Sequence, residues 1–122
     1  MGPICVKKSD KYVRGVFAVR EIKNGELIEQ APIIVFPRTD RYFLKNLALV
    51  DFLFDWGEKQ YALALGYGSI YNHSYNPNAK FEYNKDYFSI NFYAIKDISA
   101  GEEISINHNN KRDDNSTPLW FQ

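Results

Sequence analysis

The stretch YNHSYNPNAKF, residues 71–81, places three asparagines, a histidine, a serine and a proline between apolar runs. A surface turn requires far less, because one or two Gly, Pro, Asn or Asp residues are enough to reverse a chain. The segment is therefore either a turn whose amides pin the local backbone or a loop whose side chains hold a ligand. An Asn side chain carries donors and an acceptor together, so both interpretations stay open for each residue.

Around this loop the sequence predicts a mostly β domain with little helix. Aromatic residues make up 16% of the 122-residue chain, with nine Phe and nine Tyr, and aromatic side chains fit the pleated surface of a sheet. Strand patterns lie at 4–8, 15–19, 27–36, 50–56, 80–84, 87–95 and 104–108. Pro32 predicts an edge position or a bulge in the third of these strands, and a short helix is expected around 42–49. The length predicts one domain, residues 1–122.

Composition excludes several classes of function. Fifteen basic residues balance fifteen acidic ones, so no strong positive field attracts nucleic acid or an anionic membrane, and direct nucleic-acid recognition is not expected. No apolar run approaches the about 20 residues of a membrane span. A single cysteine, Cys5, forms no internal disulfide. These features predict a soluble, cytoplasmic protein, or a nuclear or chromatin-associated one if its origin is viral or eukaryotic.

The chain has two histidines, His73 in the asparagine-rich loop and His108 at the end of the last predicted strand. A pair of this kind commonly satisfies local hydrogen bonds. A zinc site needs three or four ligands, so no metal is expected. Ser74 next to His73 does not make a catalytic triad, because adjacent loop residues rarely face each other.

Two segments resemble each other without gaps. FAVREIKNGEL (17–27) and YAIKDISAGEE (93–103) match aromatic with aromatic and Gly25 with Gly101. The repeat occurs once, which excludes a solenoid. Two similar strand–turn–strand corners are expected.

Three motifs in order, RGVFA (14–18), NHSYNPNA (72–79) and GEEI (101–104), resemble those of the SET-domain protein lysine methyltransferases, particularly the short stand-alone proteins of bacteria and large viruses. The resemblance spans the whole chain, as one minimal SET domain. It implies a fold of several small curved sheets with a C-terminal pseudoknot, in which the last segment passes under the NHS loop. It also implies S-adenosylmethionine as cofactor and a protein substrate whose lysine enters an aromatic channel.

By this resemblance, several residues are expected to hold the cofactor. They are Arg14, Gly15, Val16, Asn72, His73 and Trp120. Asn72 suits a ligand end that carries both an ammonium and a carboxylate, because its amide offers donors and an acceptor. Relatives have glycine at the position of Val13, where a missing side chain permits closer approach of the backbone to the ligand.

Two departures concern catalysis. Relatives end the GEEI motif with a tyrosine that orients the reacting groups, and here that position is His108; a second channel tyrosine corresponds to Phe52. An imidazole with a pKa near 6.5 can accept a hydrogen bond from the substrate amine, giving an enzyme with a steeper pH profile. The alternative is a SET-fold module that binds the cofactor or a partner and transfers methyl groups poorly or not at all. The substrate of an active enzyme is a lysine-containing protein, a histone tail among the candidates, and the aromatic residues allow a homodimer. In a third interpretation the chain is an unrelated β protein that binds no cofactor.

Overall fold

The computed structural model describes residues 2–40 and 52–108. Within them the chain forms nine strands and one short 3₁₀ turn. The strands are β1 (Ile4–Lys7), β2 (Gly15–Ala18), β3 (Leu27–Pro37), β4 (Phe54–Asp55), β5 (Gln60–Ala64), β6 (Asn72–His73), β7 (Ala79–Asn84), β8 (Ser89–Ala94) and β9 (Glu103–Ile106), and the turn is Arg38–Asp40. The mostly β prediction is confirmed. The helix expected at 42–49 lies outside the described residues.

The strands form two small sheets. One has the order β1-β2-β9-β6 and the other β4-β5-β3-β8-β7. Strands β7 and β8, which correspond to the strand patterns at 80–84 and 87–95, form an antiparallel hairpin. These curved sheets agree with the SET-type architecture. No helix in the described ranges is long and apolar enough to cross a membrane.

Strand β3 corrects the prediction for Pro32. The strand lies in the middle of the five-stranded sheet and its bulge falls between Leu27 and Glu29. Pro32 is the last residue paired with β8, and pairing with β5 begins at Ile33. A proline is tolerated at this changeover because the ladder does not need its missing N–H there.

The prediction of a strand over 50–56 is only partly right. Within residues 52–56 the strand is limited to Phe54 and Asp55, and Leu53 is buried together with Phe54 and Trp56. Phe52 is 43% exposed. The period-two pattern marked the apolar positions, but among residues 52–56 the strand begins only at Phe54 and ends at Asp55.

The two similar segments face each other. Ile22 and Ile98 form a reciprocal backbone bridge, with N–H to carbonyl distances of 2.8 and 2.7 Å. The Gly25 N–H donates to the Ala94 carbonyl and the Gly101 N–H to the Ala18 carbonyl, both at 2.8 Å. Both glycines have φ near +90°, which glycine adopts without steric cost. The sequence repeat is therefore a pair of corners related by an approximate two-fold axis, and it brings β2 next to β9.

Candidate functional site

The asparagine-rich loop meets strand β9, the last strand of the described residues, through a parallel strand pair. Strand β6 pairs with β9, with Asn72 opposite Ser105 and His73 opposite Ile106. The Ser74 N–H continues this ladder to the Ile106 carbonyl at 2.8 Å. Two motifs about thirty residues apart in sequence are thus fixed side by side, as the pseudoknot requires, since backbone hydrogen bonds set their register.

Asn78 fastens this crossing. Its Nδ2 donates to the Glu103 carbonyl at 2.8 Å and to Glu102 Oε2 at 3.1 Å, and its Oδ1 accepts from the Ser105 N–H at 2.9 Å. The Asn78 side chain is buried, so these bonds satisfy its own donor and acceptor, which water does not reach. For Asn78 the scaffolding interpretation of the loop is the one that the contacts support.

Asn72 has a different set of contacts. Its Nδ2 donates to the Arg14 carbonyl at 2.8 Å and to Glu103 Oε2 at 2.6 Å. Both amide hydrogens are therefore used within the protein, and Oδ1 is the group left for a ligand. This revises the expectation that the amide serves an ammonium and a carboxylate together: only the acceptor is available, and it suits the ammonium.

Gly15 lies against this pair of side chains. A Cβ atom at this position would clash with Glu103 Oε2 and would lie 2.9 Å from Asn72 Nδ2. A side chain at this position in the RGVFA motif would therefore displace the ends of the Asn72 and Glu103 side chains. Its neighbour Val16 is buried and pairs with Ile104 of β9, so Arg14, Gly15 and Val16 border the same crossing as Asn72.

Replacing Gly15 with Ala should weaken cofactor binding by roughly tenfold, because the added carbon displaces Glu103 and breaks a charge-assisted bond to Asn72. Calorimetric titration with S-adenosylhomocysteine, the form of the cofactor without its methyl group, measures the change in affinity. Gly2→Ala is the matched control, since nothing lies within 4 Å of the added carbon there. Equal affinities for the two variants would contradict this account of Gly15.

The two histidines also meet. The His108 N–H donates to His73 Nδ1 at 3.2 Å, and the two rings stack with centroids 5.8 Å apart. Because Nδ1 of His73 accepts, the neutral ring carries its proton on Nε2. His73 Nε2 and His108 Nδ1 are buried and have no hydrogen-bond partner within the described ranges. Each histidine therefore presents one unused polar atom at the site.

Burial lowers the pKa of both imidazoles. For His108 desolvation is the main cause and the proximity of His73 adds to it, lowering the pKa to about 4. Desolvation also lowers the pKa of His73. Both rings are neutral at pH 7 for this reason, and His108 is a weak base, in contrast to the expectation of a pKa near 6.5.

Phe54 is the aromatic ring that packs against His108, with centroids 5.6 Å apart. It also contacts Phe81 and Phe92, at 5.0 and 6.5 Å. By the family resemblance, the expected channel residue is Phe52, two positions earlier. In the structure Phe52 is an exposed side chain, whereas Phe54 joins His108 to the aromatic core.

A carboxylate holds the turn that leads into Asn72. Glu29, next to the bulge of β3, accepts from the Tyr71 hydroxyl at 2.7 Å and from the Tyr67 N–H at 2.9 Å. The Tyr71 ring is buried against Phe92, with centroids 4.4 Å apart. Glu29 thereby fixes the residue that immediately precedes Asn72, a role without a sequence signal because it depends on β3 lying beside this turn.

Comparison with known proteins identifies this constellation. Residues 13–109 match the SET domain family. The chain belongs to the SET-domain family. The resemblance of the three motifs is confirmed by a match that covers most of the chain.

Related SET proteins have similar sequences. A Schizosaccharomyces pombe protein named histone-lysine N-methyltransferase, H3 lysine-37 specific, is 27% identical over 121 residues, which cover 98% of this chain and 78% of the relative. The variant-silencing SET domain-containing protein of Plasmodium falciparum is 32% identical over 119 residues, but the match spans only 5% of its length.

Solved SET structures have the same fold. A candidate histone methyltransferase of Plasmodium falciparum gives a TM-score of 0.75 at 32% identity, over 88% of this chain and 93% of that one. The ctPRC2 structure bound to S-adenosylmethionine gives a TM-score of 0.74 at 23% identity. The match covers 88% of this chain and 15% of the matched ctPRC2 chain. The second likeness concerns the fold alone.

The chain is therefore a protein-lysine methyltransferase of the SET type, and S-adenosylmethionine is its cofactor. The residues fit such a ligand. Asn72 offers an acceptor, His73 offers a buried N–H without a partner among the described residues, and Gly15 adds no side chain at the crossing. The assignment of individual contacts to Arg14, Gly15, Val16, Asn72 and His73 stays a prediction.

Two further expectations concern Trp120 and a metal site. Trp120 lies outside the described residues, so its predicted contact with the cofactor stays a prediction. Among residues 2–40 and 52–108, no group of three or more His, Cys, Asp or Glu side chains gathers in an arrangement able to hold a metal ion. The sequence patterns gave no role to Glu103, although it belongs to the GEEI motif, and none to Phe54.

Proposed function

We propose that this SET-domain enzyme methylates the ε-amine of a lysine in a histone or a histone-like tail, with His108 in the position that a tyrosine occupies in relatives. The observation that carries the substrate proposal is the likeness to the H3 lysine-37 enzyme over 98% of the chain. Charge adds little to the substrate proposal, because the Asp55 carboxylate is already paired with the Arg38 guanidinium at 2.8 Å.

The chemistry requires a neutral amine. Deprotonating a free lysine at pH 7 costs about 4.6 kcal/mol, and apolar surroundings reduce this cost by lowering the lysine pKa. Such surroundings are supplied by the two neutral imidazoles and by Phe54, which packs against His108 on one side and against the Phe81 and Phe92 rings on the other. Bound S-adenosylmethionine supplies a methyl group on a positively charged sulfur. The lysine proton would leave to water before the transfer, so that the neutral amine would take the methyl group; the products would be the methylated ammonium and the neutral thioether S-adenosylhomocysteine.

His108 acts in this proposal as a hydrogen-bonding group and not as a general base. With a pKa of about 4 it does not hold a proton taken from an amine at neutral pH. Its buried Nδ1, which has no partner in the described part of the chain, accepts a hydrogen bond from the amine and orients the lone pair on nitrogen. Positioning of this kind contributes to rate through orientation.

The direct test is incubation of the protein and cofactor with histone H3 peptides, read by mass spectrometry. Mass gains of methyl groups on a lysine, absent from a matched peptide with Lys→Arg, support the proposal. The second candidate function, a cofactor-binding module with lost catalysis, is favoured by the replacement of the motif tyrosine by His108. It predicts calorimetric binding of the cofactor with no mass gain on any lysine peptide.

Substitutions at His108 separate its role from its packing. His108→Phe should lower kcat by about 100-fold, the size typical of losing one oriented polar group, whereas His108→Tyr should raise kcat because it restores the phenol found in relatives. Single-turnover rates measure both variants, with calorimetry to confirm that the cofactor still binds. Equal rates for the Phe and Tyr variants would place His108 outside the reacting centre.

A further inference from the structure

Ser9 is a buried hydroxyl in a segment that is otherwise exposed. The residue is 3% accessible, while its neighbours Lys8, Asp10 and Lys11 are exposed. Its Oγ accepts from the backbone N–H groups of Lys11 and Tyr12, both at 3.3 Å, and its hydroxyl donates to Glu103 Oε1 at 2.9 Å. The last bond joins residues 94 positions apart, so it is a tertiary contact in addition to a local turn.

The Glu103 carboxylate links Ser9 to Asn72 through hydrogen bonds. One carboxylate oxygen receives the Ser9 hydroxyl and the other receives Asn72 Nδ2 at 2.6 Å. The second hydrogen of the Asn72 amide goes to the Arg14 carbonyl at 2.8 Å. The chain from Ser9 to Arg14 then closes a ring of hydrogen bonds, and the Tyr12 hydroxyl adds a second tie by donating to the His73 carbonyl at 3.2 Å.

We propose that Ser9, acting through Glu103, is a positioning residue of the cofactor site. It fixes the Glu103 carboxylate, which consumes one donor of the Asn72 amide and so holds Asn72 Oδ1 toward the ammonium group of the ligand. The inference rests on the cofactor role predicted for Asn72. The physical reason is preorganisation, because a side chain already held in its binding geometry loses little conformational freedom when the ligand arrives.

A purely local role for Ser9 makes a different prediction. If Ser9 only closes the turn through the Lys11 and Tyr12 N–H groups, its removal affects folding stability but changes cofactor affinity equally whether or not Asn72 is present. If it acts through Glu103, the effect on affinity requires the Asn72 amide. Non-additivity in a double-mutant cycle distinguishes these roles.

The experiment is calorimetric titration of the full chain with S-adenosylhomocysteine, which binds without turnover. Ser9→Ala should raise Kd by about tenfold, the size associated with losing a hydrogen bond to a charged group. Ser9→Thr keeps the hydroxyl and should change Kd by less than about twofold. Ser89→Ala is the matched control, because Ser89 is also 3% accessible but lies on β8 in the five-stranded sheet. If Ser9→Ala does not fold, Glu103→Gln gives the same readout and should also weaken binding.

The cycle with Asn72→Ala completes the test. In that background Ser9→Ala should change Kd by less than about twofold, since the amide it positions is gone. A tenfold effect that persists without Asn72, or no effect of Ser9→Ala and Glu103→Gln in the parent chain, overturns the inference while cofactor binding itself stands. A parent chain that binds no S-adenosylhomocysteine overturns the cofactor role of Asn72 together with it.

Discussion

Lowering the pH from about 6.5 to about 4 should remove about 3 kcal/mol of folding stability through His108 alone, at about 1.4 kcal/mol per pH unit. Burial lowers the pKa of His108 in the folded protein to about 4 from an ordinary 6.5. Above the ordinary value both states are neutral and nothing is lost. Below it the unfolded chain binds a proton that the folded chain does not, so stability falls until the folded-state pKa is reached.

His73 acts in the same direction, because desolvation also lowers its pKa and protonation of its Nδ1 removes the acceptor of the His108 N–H. Urea unfolding at a series of pH values measures the slope. His108→Phe is the matched variant, since it keeps a ring against Phe54 but does not titrate. Its stability should fall less steeply across this window, and parallel curves for the two proteins would contradict the assignment.

Replacing Asn78 with Ala should destabilise the protein by about 3 kcal/mol, because buried partners left without a hydrogen bond cost about 1–3 kcal/mol each. The substitution removes the hydrogen bonds that Asn78 makes to the Ser105 N–H and the Glu103 carbonyl where β6 crosses β9. Asn78→Asp should also destabilise, since it keeps the acceptor but turns a second oxygen toward the Glu103 carbonyl and the Glu102 carboxylate. Equilibrium unfolding in urea measures both changes.

Asn76 provides the control for this prediction. It belongs to the same loop, has the same side chain and is exposed, so Asn76→Ala should stay within about 0.5 kcal/mol of the parent. If Asn78→Ala is as mild as Asn76→Ala, the Asn78 bonds do not hold the crossing. A comparable loss for both would instead point to a general role of the loop.

Much of the fold was readable from local pattern. The long strand 27–36, the hairpin of residues 80–95 and the final strand were predicted because alternating apolar side chains and turn residues act over short distances. The repeated corner was visible as two matching segments, Gly25 with Gly101. Pattern failed at residues 50–56, where the alternation marked apolar positions but did not indicate which of them the core would cover.

The candidate site also has features that the sequence indicates and features that only the fold decides. The motif order and the two amide and imidazole positions, Asn72 and His73, are properties of the sequence, and they were enough for the family. The sequence did not indicate that Phe54, and not Phe52, packs beside His108, or that Ser9 bonds to Glu103. Each of these contacts depends on which distant segments come together in the fold. The same holds for the hydrogen bonds that consume both donors of the Asn72 amide.

The sequence by itself determined the strand pattern, the family and the chemical types at the crossing, because these follow from local residue preference and from motifs of fixed spacing. Tertiary structure alone decided the protonation and orientation of those groups. A histidine pKa depends on how much water burial removes from the ring, and the direction of an amide depends on the acceptors that packing brings to it. In this protein both are set where β6 meets β9.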